Sequence, residues 1–126
     1  MIRALALAAS LAFALPAAAI AQKGDEVMAM VRADRWEDAA AAATRYPDPV
    51  VAKLVRYFRL MAPGAATAEQ IAGFMAENPD WPMQGTLARR RDEALVGEAD
   101  DTVARRLCQR DAPGALAAIM RCLEAF

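Results

Sequence analysis

The stretch ENPDWP, residues 77–82, contains the signals that end one helix and begin another. Asn78 precedes a proline, which cannot continue a helix and pushes Asn78 itself out of the helical region. Asp80 is predicted to cap the next helix, with Pro82 in its first turn, where the missing N–H of a proline costs nothing. We therefore predict a helix–helix elbow in which Trp81 packs against the junction. A ligand contact by Trp81, for example with a sugar, is the alternative interpretation.

The same pairing of an aspartate with a nearby proline recurs along the chain. It occurs three times at nearly equal intervals, at Asp48 with Pro49, Asp80 with Pro82, and Asp111 with Pro113. Good helix caps form a second, equally spaced series at Asp34, Thr67 and Asp100. Glu37 and Gln70 follow the first two of these caps by three residues, as in a capping box. Two interleaved series of helix starts describe a repeated helix pair, and their period in the low thirties is typical of a helical solenoid.

The segments between these signals are apolar at helical spacing. They predict helices at about residues 24–33, 35–45, 49–62, 68–77, 82–96, 101–109 and 112–125. Two helices are expected to carry an apolar stripe: Val51, Leu54, Val55, Phe58 and Met61 in one helix, and Leu116, Ile119, Met120 and Leu123 in another. The predicted fold is all-α, with helix-pair repeats of about 32 residues that form a right-handed superhelical, TPR-like solenoid segment.

Residues 1–21 have the pattern of a secretory signal peptide. One arginine precedes an apolar run from Ala4 to Leu15, and small residues near its end predict cleavage after Ala21. The run is too short to span a membrane, so the mature protein is expected in the periplasm, without stable membrane insertion. Residues 22–126 are the predicted helical-repeat domain, and because they end within a helical pattern without a cap, we expect a truncated C-terminus. Such a truncation would expose apolar side chains of the last helix: Ile119, Leu123 and Phe126.

The chain lacks the side chains of the common catalytic and metal sites. It contains no histidine, and its only serine, Ser10, lies in the predicted signal peptide. This composition excludes Ser-His and Cys-His catalysis and histidine-based zinc sites. The neighbouring carboxylates Asp92 and Glu93, like Asp100 and Asp101, point apart on a helix and are expected to be caps or solvated groups. With a net charge of −1 and no basic patch, the chain is not expected to bind nucleic acid, and we predict no catalytic residue, cofactor or metal in it.

The stretch ARRRDEAL, residues 88–95, concentrates three arginines in one helix. Arg89 and Glu93 are four residues apart and are expected to pair, and Asp92 neutralises more of the positive charge. The stretch is therefore interpreted as a solvated face whose arginine stems cover apolar surface. A contact with another helix or with a partner is the alternative.

Cys108 and Cys122 are the only cysteines, and an exported protein meets oxidising conditions. They are predicted either to form a disulfide or to remain two buried thiols. If the turn between their helices lies near Arg110, the two residues are offset by roughly 15 Å along the helix axes, which is too far for a bond. A bond therefore requires that the second helix crosses the first or starts late.

The stretch FMAENPDWPMQGTLARRRDEAL, residues 74–95, resembles part of the amino-terminal helical region of soluble lytic murein transglycosylases, particularly the alphaproteobacterial kind. The matching positions are Phe74, Asn78, Pro79, Asp80, Trp81, Pro82, Leu87, Arg89, Arg90 and Arg91, together with the run from Glu93 to Leu95. The sequence departs from the family pattern at Asp92, where that pattern has alanine, and at Gly85, inside a helix.

The resemblance implies an exported enzyme that cleaves the glycan strands of peptidoglycan to 1,6-anhydro products. In that family the catalytic glutamate and the contact with peptidoglycan belong to a separate lysozyme-like domain, whose motifs this sequence does not contain. The leading hypothesis is therefore a non-catalytic, exported scaffold portion of such an enzyme. The alternative is a free-standing periplasmic helical-repeat protein that binds a protein or peptide partner on its concave face.

Overall fold

The computed structural model describes residues 17–126, with side chains from residue 24 onward. The described residues form seven α-helices and no β-strand: α1 Ala17–Arg32, α2 Trp36–Ala43, α3 Val50–Met61, α4 Ala68–Glu77, α5 Gln84–Val96, α6 Asp101–Arg110 and α7 Leu116–Ala125. The prediction of an all-α chain is confirmed. Most of the predicted signal peptide lies outside the described residues, and only the backbone of its predicted cleavage site, within α1, is included. None of the described helices is long and apolar enough to cross a membrane.

Helices α4 and α6 begin with the predicted caps. The N–H of Gln70 donates to the hydroxyl of Thr67 at 3.1 Å, and the N–H of Thr67 donates to the side-chain oxygen of Gln70 at 2.9 Å. The carboxylate of Asp100 accepts from the N–H groups of Thr102 and Val103 at 2.7 and 3.2 Å. The bond from Val103, followed by the bond from Thr102, lowers the pKa of Asp100 below its ordinary value.

The predicted capping box at Asp34 is wrong, because Asp34 ends α1 and does not start α2. Its φ of 55° lies in the left-handed region. Its N–H and that of Arg35 donate back to carbonyls in the last turns of α1, which is the usual pattern when a left-handed residue terminates a helix. Glu37, the predicted partner in the box, pairs instead with Arg59 of α3 at 2.8 Å.

Of the three predicted Asp-Pro helix starts, only the first has the predicted bond. Asp48 accepts from the first N–H of α3 at 2.9 Å. Asp80 caps no helix among the described residues, because α5 starts later, after Met83 with its φ of 62°. Asp111 follows the last turn of α6. The start of α7 is capped by a residue of another helix, Asp92.

The helices pack in a regular order. The odd-numbered helices form one series, in which α1 contacts α3, α3 contacts α5, and α5 contacts α7. The even-numbered helices lie beside this series, with α2 against α1 and α3, α4 against α5 and α6, and α6 against α7. Helices α2, α4 and α6 start at Trp36, Ala68 and Asp101, and α3, α5 and α7 start at Val50, Gln84 and Leu116. The starts within each of these two sets are thus nearly evenly spaced along the chain.

The predicted apolar stripe of α3 is buried only in part. Val55, Tyr57 and Leu60 are buried, whereas Leu54 and Phe58 are 38 % and 36 % exposed. Helix α3 carries apolar side chains around most of its circumference, so the apolar period alone does not decide which face is covered. Contacts with α1, α2 and α5 decide it.

The predicted apolar stripe of α7 lies on the surface. Its four members, and the last residue of the chain, are all exposed: Leu116, Ile119, Met120, Leu123 and Phe126. The buried face of α7 carries small side chains instead: Ala118, Cys122 and Ala125. These small side chains pack in one cluster with residues of α5 and α6. The predicted exposure of Ile119, Leu123 and Phe126 is confirmed.

A disulfide between Cys108 and Cys122 joins α6 to α7, with 5.9 Å between the two Cα atoms. The sequence leaves this bond and two buried thiols open as alternatives, and in the structure neither cysteine is free. Helix α7 starts late, at Leu116 and not at the predicted residue 112, and a late start is one of the two arrangements that the bond requires. The shift places Cys122 near the end of α6 that carries Cys108.

Reduction of this disulfide is expected to destabilise the protein by about 3 kcal/mol, because the bond closes a loop of about fifteen residues in the unfolded chain. The measurement is thermal unfolding by circular dichroism with and without a reductant. The double variant Cys108→Ser with Cys122→Ser is the control, since reductant should leave its melting temperature unchanged. Two free thiols in the unfolded, non-reduced wild type would contradict the bond.

Candidate functional site

The predicted elbow lies between α4 and α5, at residues 78–83. Amide side chains hold its backbone at both ends. The side chain of Asn78 donates to the carbonyl of Phe74 at 2.9 Å, and that of Gln84 donates to the carbonyls of Asn78 and Trp81, both at 3.0 Å. The stretch 74–95, called here the family-like motif, has three exposed residues at the elbow: Pro79, Asp80 and Pro82. These bonds hold the turn at its two ends.

Trp81 is partly buried against aromatic side chains of the elbow. Its ring meets Phe74 and Tyr57 edge-on, with centroids 5.9 Å apart in both pairs. Nζ of Lys53 lies 4.3 Å from the centre of the Trp81 ring. The indole Nε1 is buried and has no hydrogen-bond partner among the described residues. This enclosure agrees with the elbow interpretation, whereas a sugar platform needs an open ring face.

The large apolar residues of the motif form the joint between three helices. Phe74 of α4 and Leu87 of α5 are fully buried. They pack in one cluster with Tyr57 and Leu60 of α3 and with Ile71 of α4. Substitutions at these positions are therefore expected to act through stability, because each removes contacts that join two or three helices.

The arginines of the stretch 88–95 lie in different environments. Arg89 is exposed and 3.9 Å from Glu93, at the outer limit of an ion pair. Arg90 is the closer partner of Glu93, at 2.7 Å. The Nε of Arg90 also donates to the carbonyl of Met61 at 2.8 Å and so links α5 to the end of α3. The predicted solvated face describes Arg89, while Arg90 makes the inter-helix contact that was the alternative.

The prediction of a solvated face is wrong for Arg91 and Asp92, which are 8 % and 4 % exposed. Nη2 of Arg91 donates to Oδ1 of Asp92 at 2.9 Å. Oδ2 of Asp92 accepts from the N–H groups of Gly114 and Ala115 at 2.8 and 3.0 Å. Asp92 thus caps the start of α7 from within α5. Both residues lie on a helix that contacts α3, α4 and α7.

A cleft of about 340 Å³ opens between α2, α3 and α4. Its apolar lining includes Trp36, Val55 and Leu60, and its polar lining includes Arg56 and Arg59. Each guanidinium group forms an exposed ion pair with a glutamate, at 3.1 Å for Arg56 and 2.8 Å for Arg59. A guanidinium has five N–H donors, so each arginine can pair with a further acceptor.

Several of these features are not visible in the sequence. Lys53 contacts Trp81, and Asp92 contacts Gly114, across more than twenty residues of sequence. Among residues 24–126, no group of three or more His, Cys, Asp or Glu side chains is placed to hold a metal ion. Comparison of the chain with protein-family models, with curated proteins and with solved structures finds no match.

Proposed function

We propose that this chain is a non-catalytic helical scaffold, the amino-terminal helical portion of an exported soluble lytic murein transglycosylase. In this proposal the helices stack as a right-handed superhelical, TPR-like solenoid segment. Cleavage of peptidoglycan to 1,6-anhydro products belongs to a separate domain of the same enzyme. The chain meets peptidoglycan through that domain and works in the periplasm.

The packing order of the helices is the observation that supports this proposal best. Each odd-numbered helix contacts the next, and the even-numbered helices lie beside them. The starts of α2, α4 and α6 recur at nearly equal intervals, and so do those of α3, α5 and α7. Helix pairs of this length stack in solenoids, where each pair contacts mainly its neighbours. Such a stack holds attached parts at a fixed distance, which is the role of a scaffold.

The contacts of the family-like motif agree with a structural role. Phe74, Trp81 and Leu87 meet in the joint of α3, α4 and α5. Arg90 ties α5 to the end of α3 through the carbonyl of Met61. These contacts give Phe74, Trp81, Leu87 and Arg90 a structural role that needs no ligand. In this proposal these residues set the angle between neighbouring helices and therefore determine the shape of the scaffold.

The proposal predicts a difference between the isolated chain and the native gene product. The purified chain is expected to release no anhydro-muropeptides from purified murein, as measured by mass spectrometry and by turbidity. The native product, isolated from its own cells with an antibody raised against the chain, is expected to be longer than 126 residues and to release them. An isolation with pre-immune antibody is the matched control.

Two outcomes would contradict the proposal. Release of anhydro-muropeptides by the isolated chain would show that the chain itself is an enzyme. A native product that is no longer than the chain and has no activity on murein would show that the chain is not part of such an enzyme. That result would favour the second candidate function.

The cleft between α2, α3 and α4 favours that second candidate, a free-standing periplasmic helical-repeat protein that binds a protein or peptide partner. Apolar walls formed in part by Trp36, Val55 and Leu60 lie next to the guanidinium groups of Arg56 and Arg59. This combination suits a peptide segment in which an apolar side chain neighbours a carboxylate.

A further inference from the structure

Helix α3 lines the cleft between α2, α3 and α4 with apolar and cationic side chains at neighbouring positions. Val55 and Leu60 are buried, and Arg56 and Arg59 line the cleft with them. Residues three or four positions apart on a helix are neighbours, with about 5–6 Å between their Cβ atoms. Arg59 therefore neighbours Val55, and Arg56 neighbours Leu60. A ligand that fits this wall carries an apolar group and an anionic group within the same short distance of each other.

Both arginines keep N–H donors for such an anionic group. Nη1 of Arg56 pairs with Glu77, and Nη1 of Arg59 pairs with Glu37. Nε of Arg59 also donates to the carbonyl of Ala65 at 3.0 Å. These bonds do not use Nη2 of either arginine. Since a guanidinium has five N–H donors and binds carboxylates well, a carboxylate is the anion that the cleft suits.

The two glutamates lie outside the cleft. Neither is among the residues that line it, and their side chains are 62 % exposed for Glu77 and 84 % exposed for Glu37. Exposed ion pairs of this kind contribute little to stability. A carboxylate in the cleft can therefore share the guanidinium groups with the glutamates. Because like charges repel, the glutamates are also expected to weaken its binding.

The end of a peptide chain combines the two groups better than an internal segment does. In an extended peptide, successive side chains point to opposite sides, so an apolar residue and an adjacent acidic residue do not enter the same cleft. The last residue of a chain carries its side chain and its carboxylate on one Cα atom. The cleft volume of about 340 Å³ is near the lower end of the usual range for ligand pockets, about 300–1,000 Å³. This size suits one or two residues.

We propose that the cleft binds the free carboxyl terminus of a peptide whose last side chain is apolar. The apolar side chain packs against Val55 and Leu60, and the carboxylate accepts from Arg56 and Arg59. This inference gives the chemistry of the partner in the second candidate function and rests on the peptide binding proposed there. It does not require a free-standing chain, so the length and murein activity of the native product test the scaffold proposal separately.

The test uses short peptides of random sequence that are attached to a support through their amino ends. Each is displayed as a free acid and as a carboxyl-terminal amide. The purified chain is expected to select free acids whose last residue is apolar. For the best of these peptides in solution, fluorescence anisotropy should give a dissociation constant about tenfold or more below that of the amide, because the amide carries no charge for the two arginines.

Variants of the cleft test the residues that bind the carboxylate. Arg56→Gln and Arg59→Gln are each expected to raise the dissociation constant about tenfold or more. Glu37→Gln is expected to lower it, because it removes a competing negative charge. Arg89→Gln is the matched control, since Arg89 is also exposed and paired with a glutamate but does not line the cleft. Circular dichroism verifies folding, and Arg56→Gln with Glu37→Gln decides the test if Arg59→Gln does not fold.

The two tryptophans locate the bound peptide. Trp36 lines the cleft, whereas Trp81 lies in the joint of α3, α4 and α5. In nuclear magnetic resonance spectra the peptide should shift the indole N–H signal of Trp36 much more than that of Trp81, and Trp36→Phe assigns the two signals.

Three outcomes would overturn the proposal. In the first, no free acid binds more tightly than its amide. In the second, the Trp36 signal stays in place, or Arg89→Gln weakens binding as much as Arg56→Gln does. In the third, an amidated peptide with an internal glutamate binds as tightly as the best free acid, which would favour an internal acidic segment as the ligand.

Discussion

Asp92→Ala is expected to lower the free energy of unfolding by about 3–5 kcal/mol. The substitution leaves the buried guanidinium of Arg91 without its carboxylate partner. It also removes the acceptor for the N–H groups of Gly114 and Ala115 at the start of α7. A buried polar group that loses its partner destabilises the fold strongly, because it has lost its hydrogen bonds to water and gains no other bond in their place. Urea unfolding followed by circular dichroism measures the change.

Glu93→Ala is the matched control for this prediction, because Glu93 is the next residue in the chain and has a half-exposed side chain. Its pair with Arg90 is expected to contribute about 1 kcal/mol or less. The double variant Arg91→Met with Asp92→Ala is expected to recover part of the loss, since it leaves no buried charge. If Asp92→Ala lowered the free energy of unfolding no more than Glu93→Ala does, the cap on α7 would not contribute to stability in solution.

Trp81→Ala is expected to lower the free energy of unfolding by about 3–5 kcal/mol, because it opens a cavity at the joint of α3, α4 and α5. The substitution removes the edge-on contacts with Phe74 and Tyr57. Melting temperature and retention on insoluble murein are measured side by side. We expect a large fall in melting temperature.

Trp81→Phe is the matched control, because it keeps an aromatic ring at the joint. It removes an Nε1–H that has no partner among the described residues, so its cost should be smaller than that of alanine. Unchanged melting of Trp81→Ala together with lost retention on murein would show that the elbow is a binding site. A loss of stability in Trp81→Ala, without such a loss in Trp81→Phe, supports a structural role for Trp81 at the joint.

Helix starts with local partners could be predicted from the sequence. Thr67 and Asp100 bond to N–H groups two or three residues away, so their neighbours contain all the necessary information. Asp34 and Asp111 carry the same type of side chain but lie at the ends of α1 and α6. Short connections place the end of one helix and the start of the next within a few residues, and these residue types suit both.

The cap formed by Asp92 could not be predicted, because its two partners are 22 and 23 residues away. The resemblance marked Asp92 only as a departure from a family pattern. Asp92 also bonds to Ala115, which is extended just before α7. With α7 starting there, Cys122 comes within reach of Cys108. Apolar periodicity specifies neither the cap nor the disulfide.

Apolar periodicity predicted the apolar stripe of α7, from Leu116 to Leu123, but not which face of the helix is buried. A period of 3.6 residues indicates that a helix has an apolar face, without indicating what covers it. In this chain Ala118 and Ala125, which carry little periodic signal, form the buried side, and Leu123 lies outside. Small residues that allow close approach are the part of a helix interface that a hydrophobicity pattern detects least well.

The disulfide also determines how the chain responds to a protease. The connection between α6 and α7 includes the exposed residues Asp111 and Gly114. Cys108 precedes this connection and Cys122 follows it, so the S–S bond spans the whole of it. A cut in the connection leaves α7 covalently attached to the rest of the molecule. Only proteolysis combined with reduction can release the last helix as a peptide, and a single nick in an oxidising compartment leaves the protein in one piece.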